Sequence, residues 1–313
     1  MIAHLTAREK ALEPFGWTGR RAEWIALACL HGGVFTRAQG TAFLRCHHEK
    51  VRRVVRKLVA QGVAVEENPS GLGGFGRVCR IHGRKIYRAL GAGDRRRRRI
   101  TSQEVLMRRL LSLDYVLEHP HLPWLPTKPE KVAAFEALGI ERQILPQRVY
   151  RGAAGSLLRH FPLGLPVALD DERAVFVYVD PGHETKTALR SWGAAHRELW
   201  KELWDRGRKI EVVAVVRTLG EMGRARAVLA NWARAPHPSE MDEETARELA
   251  RIEQAILTGD VPVIEEYGSL QAALKRSIAL EKQARGRAGQ GLMHRTATWQ
   301  TARLMGAYFR WWR

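Results

Sequence analysis

The chain has 313 residues, 45% of them hydrophobic, which is enough to bury a substantial core and makes two domains the expectation from length. Its formal net charge of +19 at pH 7 favours a polyanionic partner, which is DNA, RNA or an anionic membrane. The three cysteines lie far apart without a zinc spacing, which argues against a zinc site or a disulfide framework; they are Cys29, Cys46 and Cys79.

The positive charge is concentrated at the two ends of the chain. Residues 1–100 hold 21 Lys and Arg against 7 Asp and Glu, and residues 281–313 hold 7 against 1. The intervening 180 residues hold 24 against 25 and are close to neutral. This distribution favours a dedicated binding module over a general contribution of charge to solubility.

The sequence carries no sign of membrane insertion or export. No apolar run reaches the roughly 20 residues of a spanning helix. The first residues, MIAHLTAREKALEPF, lack the apolar stretch of a signal peptide. We therefore expect a cytoplasmic protein with no membrane partner.

Two helices are predicted at the start of the chain. The stretch RRAEWIALACLHGG places Trp24, Leu27 and Ala28 on one stripe, and its two glycines end the helix. A shorter helix follows in VFTRAQGTAFL. Thr36 is a good N-cap there, with Gln39 at the spacing of a capping box.

The third predicted helix, HHEKVRRVVRKLVAQG at 47–62, is amphipathic. Its apolar residues have the spacing of a helix packed on a core; they are Val51, Val54, Val55, Leu58 and Val59. The opposite face carries four cations, Arg52, Arg53, Arg56 and Lys57, and Lys50 is a further cation of this helix. A hairpin follows, with strands at Val63 to Glu66 and Arg77 to Ile81 joined by the turn NPSGLGGFG, and then a helix at 83–90.

Three helices and a glycine-tipped hairpin, over residues 18–92, resemble a winged helix-turn-helix domain. The resemblance implies that the third helix enters the DNA major groove with Lys50, Arg52, Arg53, Arg56 and Lys57. It implies phosphate contacts from Thr36 and Arg37, which open helix two, and backbone or minor-groove contacts from Arg77 and Arg80 on the wing. The alternative is that these charges form only a solvated surface.

A run of five arginines, GAGDRRRRRITSQ at 91–103, follows this region; the five are Arg95, Arg96, Arg97, Arg98 and Arg99. Adjacent like charges favour an extended, solvated chain. Such a chain can follow a phosphate backbone or enter a minor groove, which is the role we expect. An idle linker and a targeting signal are the alternatives.

The body of the chain alternates predicted helices and strands. A helix in TSQEVLMRRLLSLDYVLEH, a proline-rich connector, a short helix in PEKVAAFEALGI and a strand in ILPQRVYRG come first. Strands in LPVALDD and RAVFVYVDPG, one long helix in HETKTALRSWGAAHRELWKELWDRG, a strand in KIEVVAVVRT and a helix in LGEMGRARAVLANWAR follow. This order predicts a small α/β domain.

Residues 100–235 resemble the nuclease-like core found behind winged helices in plasmid and conjugative-element proteins of the replication-relaxation type. A catalytic core of the PD-(D/E)xK class needs two acids on neighbouring strands and a lysine. Asp170 fits the first acid. The next strand offers either Tyr178 at the position of the second acid, or Asp180 with Gly182 at the position of the lysine, and both alignments break the pattern. Lys186 is nearby but falls in a helix. We therefore expect no catalytic residue, no resident metal and no cofactor.

Acidic and histidine residues nevertheless cluster in this part of the sequence; they are Asp170, Asp171, Asp180, His183 and Glu184. A metal site is one interpretation. Caps of turns and helix starts are the other, because acids are common at such positions.

The C-terminal region is predicted to be helical. Helices are expected in ETARELARIEQAILTG and SLQAALKRSIALEKQAR, and the chain ends in TWQTARLMGAYFRWWR. There Leu304, Tyr308, Trp311 and Trp312 have helical spacing. This last helix is expected to pack on the body or on a second subunit; contact with nucleic acid or with a membrane surface are the alternatives.

The predicted fold class is α+β or α/β: a winged helix at 1–93, a basic linker and connecting helix at 94–130, an α/β nuclease-like domain at 131–236 and a helical region at 237–313. The expected function is sequence-specific binding of double-stranded DNA. By resemblance, the protein regulates or assists transcription, replication or transfer of a mobile element. A metal-dependent nuclease and a DNA-anchored assembly factor are the alternatives, and the Trp-rich helices are a predicted surface for a homodimer or protein partner.

Overall fold

A computed structural model describes residues 3–68, 77–93, 102–152, 155–182, 186–233, 242–285 and 293–300, which form a mixture of helices and small sheets. The glycine-rich tip, the five arginines, His183, Glu184 and residues 301–313 lie outside these ranges. Within them, no helix combines the length and the apolar character needed to cross a bilayer.

Residues 3–93, here called the N-terminal unit, pack helices against a three-stranded sheet. The helices are α1 (Gly19–His31), α2 (Arg37–Leu44), α3 (His48–Ala60) and α4 (Arg84–Ala89). The strands are β1 (Val34–Thr36), β2 (Ala64–Glu67) and β3 (Val78–Ile81), in the antiparallel order β1-β3-β2. The predicted helices and hairpin are present, and β1 is an additional strand that pairs with the hairpin.

The apolar spacing of α3 buries one side of the helix. Val51, Val54, Val55 and Leu58 are all 4% exposed or less. Val59, which was predicted to share this side, is 43% exposed. Its position explains the difference, because at about 100° per residue it lies about 80° around the helix from Val51, at the margin of the apolar face.

Helix α5 (Gln103–Glu118) joins the N-terminal unit to the rest of the protein. Ser102 caps it by accepting a hydrogen bond from the Val105 N–H, as one of the two predicted caps. The helix contacts α1 and β1 on one side and the central sheet on the other. Since Leu110, Leu111 and Leu113 are buried, the hydrophobic core is continuous between the two parts of the protein.

The body surrounds a four-stranded sheet. Its strands are β6 (Val167–Leu169), β7 (Arg173–Val179), β8 (Lys209–Val216) and β9 (Arg295–Gln300), in that order, with β6 antiparallel to β7 and the others parallel. Helices α6 (Lys128–Ala137), α7 (Lys186–Ala194), α8 (Arg197–Asp205) and α9 (Leu219–Ala233) accompany the sheet. A separate antiparallel ribbon consists of β4 (Gln147–Gly152) and β5 (Gly155–His160); β5 was not predicted.

The last described segment of the chain is a strand where a helix was predicted. Residues 295–300 form β9, which pairs in parallel with β8. The segment contains Thr296, Thr298 and Trp299, residue types that favour strands, and β8 offers it an unpaired edge. The central sheet therefore takes its fourth strand from the region that was predicted to be helical.

The long helix predicted after β7 is two helices. The helical hydrogen-bond pattern changes at His196, whose backbone N–H donates at 2.9 Å to the carbonyl of Gly193, three residues earlier. The His196 ring is buried, with Nδ1 2.7 Å from the Trp192 carbonyl oxygen, and burial lowers its pKa to about 3. The apolar period continues across the break, which is why the sequence indicates a single helix.

The tryptophans of these helices face the protein's own core. Trp192 and Trp200 are buried, and their ring centroids lie 5.7 Å apart. Trp232 of α9 packs against both of them, at 6.4 and 5.7 Å. These three rings therefore form an internal cluster, which differs from the predicted role of the Trp-rich helices as a partner surface.

We predict that Gly193→Ala destabilises the protein despite the helix preference of alanine. A Cβ at Gly193 would lie 2.3 Å from the Trp232 ring, and overpacking of this kind costs about 1–3 kcal/mol. Gly223→Ala in α9 is the matched control, because a Cβ there meets nothing within 4 Å and should stabilise by up to about 1 kcal/mol. Urea unfolding measures both, and equal effects of the two changes would refute the close contact.

Three further helices follow the body. They are α10 (Glu243–Thr258), α11 (Val261–Glu266) and α12 (Leu270–Arg285); α11 was not predicted. Helices α10 and α12 bury a second, small core of Leu249, Ile252, Ala273 and Leu280. Helix α10 also contacts α7, which places this group of helices against the Trp cluster.

Candidate nucleic-acid interface

Three cations of α3 face solvent without a partner among the described residues. Lys50, Arg53 and Arg56 are exposed and form no hydrogen bond or ion pair with any described side chain or backbone group. Because the opposite side of the helix is buried, their charges are directed away from the protein. We call these three residues the cationic face of α3.

The other two cations predicted for α3 are held by the protein itself. Arg52 Nη1 lies 3.0 Å from Glu49 Oε1, and this bond lowers the pKa of Glu49 below its ordinary value. Lys57 Nζ donates to the Gly16 carbonyl at 2.7 Å and lies 4.4 Å from the centre of the Trp17 ring. Lys57 therefore fastens α3 to the segment before α1.

The predicted capping box at α2 is present, and it removes Thr36 from the surface. Thr36 Oγ1 accepts a hydrogen bond from the Gln39 N–H at 3.2 Å, and Gln39 Oε1 accepts one from the Thr36 N–H at 2.8 Å. Thr36 is only 3% exposed, so its hydroxyl does not face a surface that a phosphate can reach. The expected phosphate contact through the N-terminus of α2 stays a prediction, and the Thr36 hydroxyl takes no part in it.

The remaining predicted cations near the hairpin pair with two glutamates of β2. Arg37 donates to both carboxylate oxygens of Glu66 at 2.7 Å, in bidentate geometry. Arg80 pairs with Glu67 and its side chain is 13% exposed. Arg77 Nη1 lies 3.6 Å from Glu66 Oε2 but the side chain remains 68% exposed, so this cation of the hairpin faces solvent.

The acids beside the hairpin cations were not among the residues predicted from the sequence to form the site. Glu66 and Glu67 are adjacent at the end of β2, opposite Cys79 and Val78 of β3. Their position at the end of the strand that pairs with the strand of Arg80 could have indicated these ion pairs. The ion pairs hold the hairpin at the end next to its turn, and they reduce the net positive charge there.

A buried hydrogen-bond network positions α2 against α5. Gln39 Nε2 donates to the Leu110 carbonyl at 2.9 Å and to the Asp114 carboxylate. Asp114 is 2% exposed, and burial raises its pKa well above the ordinary value, against the opposing effect of the Gln39 bond. Since α2 packs on α3, this network also bears on the orientation of α3.

The raised pKa of Asp114 predicts a pH-dependent stability. The folded state holds a proton that the unfolded state releases near pH 4, so the stabilisation is complete below that pH and is lost as pH rises through the folded pKa. Asp114→Asn keeps an acceptor oxygen for Gln39 and removes the titration. We expect the free energy of unfolding of the variant to gain on the wild type by up to about 1.4 kcal/mol per pH unit above pH 4, over the range in which the folded state retains the proton. Urea titrations at pH 4, 5.5 and 7 measure this, and a constant difference would contradict it.

Among the described residues, the acids of the body do not come together as a metal site. Asp170 Oδ1 accepts hydrogen bonds from the Glu172 and Arg173 N–H groups at 2.9 and 2.8 Å, which closes the turn between β6 and β7. Asp180 Oδ1 accepts one from the Gly182 N–H at 2.7 Å. The two acids flank opposite ends of β7, about 20 Å apart at 3.3 Å per residue. No group of three or more His, Cys, Asp or Glu in the described ranges is arranged to hold a metal ion.

The five arginines at 95–99 were predicted to contact DNA, and they lie outside the described residues, so their role stays a prediction. Comparison of the whole chain with protein-family models, with curated proteins and with solved structures finds no match.

Proposed function

We propose that the protein binds double-stranded DNA by placing α3 in the major groove, in the manner of a winged helix-turn-helix. The succession α1-β1-α2-α3-β2-β3 and the small antiparallel sheet support this proposal, because they agree with what the resemblance of residues 18–92 implies. An α-helix of this kind fits the major groove of B-DNA, which is about 12 Å wide.

The observation that carries the proposal is the cationic face of α3. Lys50, Arg53 and Arg56 are exposed on a helix whose other side is fixed in the core by four buried apolar residues. A guanidinium group donates in bidentate fashion to guanine O6 and N7, and it also pairs with phosphate. Side chains on a rigid helix that face solvent suit both contacts.

The proposal assigns the remaining charge to the DNA backbone. Arg77 is exposed beside the hairpin, and the arginines at 95–99 follow the N-terminal unit directly in sequence. Contacts with phosphates fix register and affinity without reading bases. A role in regulation, replication or transfer of a mobile element is proposed from the replication-relaxation resemblance alone.

Selection of bound duplexes from a random pool tests the proposal. We expect enrichment of a common site, and the logarithm of the affinity for that site should fall linearly with the logarithm of the salt concentration. Failure to enrich any sequence would contradict specific recognition. A parallel incubation of supercoiled plasmid with Mg²⁺ tests the nuclease alternative, and nicking that disappears in Asp180→Ala would replace the proposed function.

A further inference from the structure

A cavity of about 660 Å³ lies where the N-terminal unit, α5, α6 and the β4–β5 ribbon meet. The end of α1, the segment after α4 and one side of α5 form part of its wall. The start of α6, the ribbon and residues 162–165 form the rest. Its volume is within the range of about 300–1,000 Å³ that is usual for small-molecule sites.

The wall of this cavity is strongly basic. Five of the described residues that line it are cations, and none of these described lining residues is Asp or Glu; the cations are Arg108, Arg109, Lys128, Lys131 and Arg159. The histidine His31 lines it as well. We call this the basic cavity.

Two of these cations are held in the wall and not in solvent. Arg108 is 8% exposed and Lys131 is 2% exposed. Arg108 Nη2 lies 2.7 Å from Glu104 Oε1, and Lys131 Nζ donates to the Leu165 carbonyl oxygen. These contacts hold both cations at fixed positions in the wall of the cavity.

The other side of the basic cavity is apolar and aromatic. Tyr150 and Leu157, which are opposite each other in the ribbon, both line it. The guanidinium carbon of Arg159 lies 4.7 Å from the centre of the Tyr150 ring. Leu157 and Leu163 are 49% and 42% exposed, which leaves apolar surface for a ring or base to cover.

We propose that the basic cavity binds a nucleoside phosphate, with the phosphate among the cations and the base against Tyr150 and Leu157. Clustered cations suit a multiply charged phosphate, and aromatic and apolar side chains suit a planar base. The source is either a free nucleotide or the terminal nucleotide of a nucleic-acid strand, which share this chemistry. The proposal does not depend on DNA binding by α3, because none of the α3 cations lines the cavity.

Isothermal titration of the full chain with ATP, adenosine, pyrophosphate and a 5′-phosphorylated dinucleotide tests the proposal. We expect ATP or the dinucleotide to bind at least about 10-fold more tightly than either adenosine or pyrophosphate. Tighter binding of ATP indicates a free nucleotide, and tighter binding of the dinucleotide indicates a strand end. No binding below 1 mM by either probe, or equal binding of pyrophosphate, would overturn the assignment.

Arg159→Gln and Arg148→Gln form a matched pair for this test. The two arginines are opposite each other in the ribbon and both approach Tyr150, but only Arg159 lines the cavity. We expect Arg159→Gln, and separately Lys128→Gln, to weaken binding by about 10-fold, with Arg148→Gln close to wild type. Equal losses in Arg148→Gln and Arg159→Gln would overturn the site.

A second arm separates this proposal from DNA binding by α3. Arg53→Gln/Arg56→Gln should leave nucleotide affinity unchanged, and Arg159→Gln should leave affinity unchanged for the selected site on a closed circular duplex, which has no strand ends. Loss of nucleotide binding in the α3 variant would place the nucleotide site on α3 and overturn its assignment to the cavity. If the α3 variant loses duplex binding and keeps its nucleotide affinity, the nucleotide titration still supports the site in the cavity.

Discussion

Simultaneous replacement of Arg53 and Arg56 by glutamine is expected to weaken binding to the selected duplex by about 10- to 100-fold. A good guanidinium–guanine contact contributes about 1–3 kcal/mol of discrimination, so sequence preference should fall together with affinity. The fold should be unaffected, because both side chains are exposed and pair with no described residue. Fluorescence anisotropy with the selected duplex and a scrambled duplex measures the loss.

The matched control is Arg247→Gln/Arg251→Gln, which removes the same charge from the exposed surface of α10. If loss of net charge were sufficient, both double variants would weaken binding equally, which would refute a dedicated role for α3. Replacement of the arginines at 95–99 is expected to weaken all duplexes alike and to reduce the salt dependence, because contacts with phosphates carry no sequence information.

The second large effect is expected at Arg197, which connects the body to the C-terminal helices. Arg197 Nη1 lies 2.7 Å from Glu253 Oε1 of α10, and Nη2 lies 3.9 Å from Glu281 Oε1 of α12. All three side chains are 14% exposed or less. Arg197→Met leaves two nearly buried carboxylates without their cation, and we expect a loss of about 3–5 kcal/mol in the free energy of unfolding.

The control is Arg197→Met/Glu253→Gln, which removes one of the stranded charges and should unfold with a smaller loss than Arg197→Met alone. Urea unfolding followed by tryptophan fluorescence measures both variants. A double variant no more stable than the single variant would show that packing of the arginine, and not charge, is responsible.

The effect of Arg197→Met should also depend on pH. Burial already raises the pKa of Glu253 above its ordinary value, and removal of the guanidinium raises it further. A raised folded pKa means that the contribution to stability is present at low pH and is lost as pH rises through that pKa. The deficit of the variant should therefore be smaller at pH 5 than at pH 8, and a deficit independent of pH would contradict an electrostatic cause.

Periodicity and capping residues were sufficient to predict most helices and the main strands. The apolar spacing of α3, the Thr36–Gln39 capping box and the Ser102 cap are local features, and apart from the exposed Val59 they appear in the structure as the sequence indicates. Local patterns succeed here because they involve residues within one or two turns of each other. The excess of positive charge in the first hundred residues is likewise a property of the sequence alone.

Contacts between distant segments decided the rest. The cations Arg37, Arg80 and Lys57 are visible in the sequence, but only the fold pairs them with Glu66, Glu67 and the Gly16 carbonyl. In the same way, residues 295–300 become a strand because β8, about 80 residues earlier, has a free edge beside them. The basic cavity is also a product of the fold, since its cations come from three separate elements. Long-range pairing of this kind leaves no periodic signal in the sequence, because each segment carries only half of the interaction.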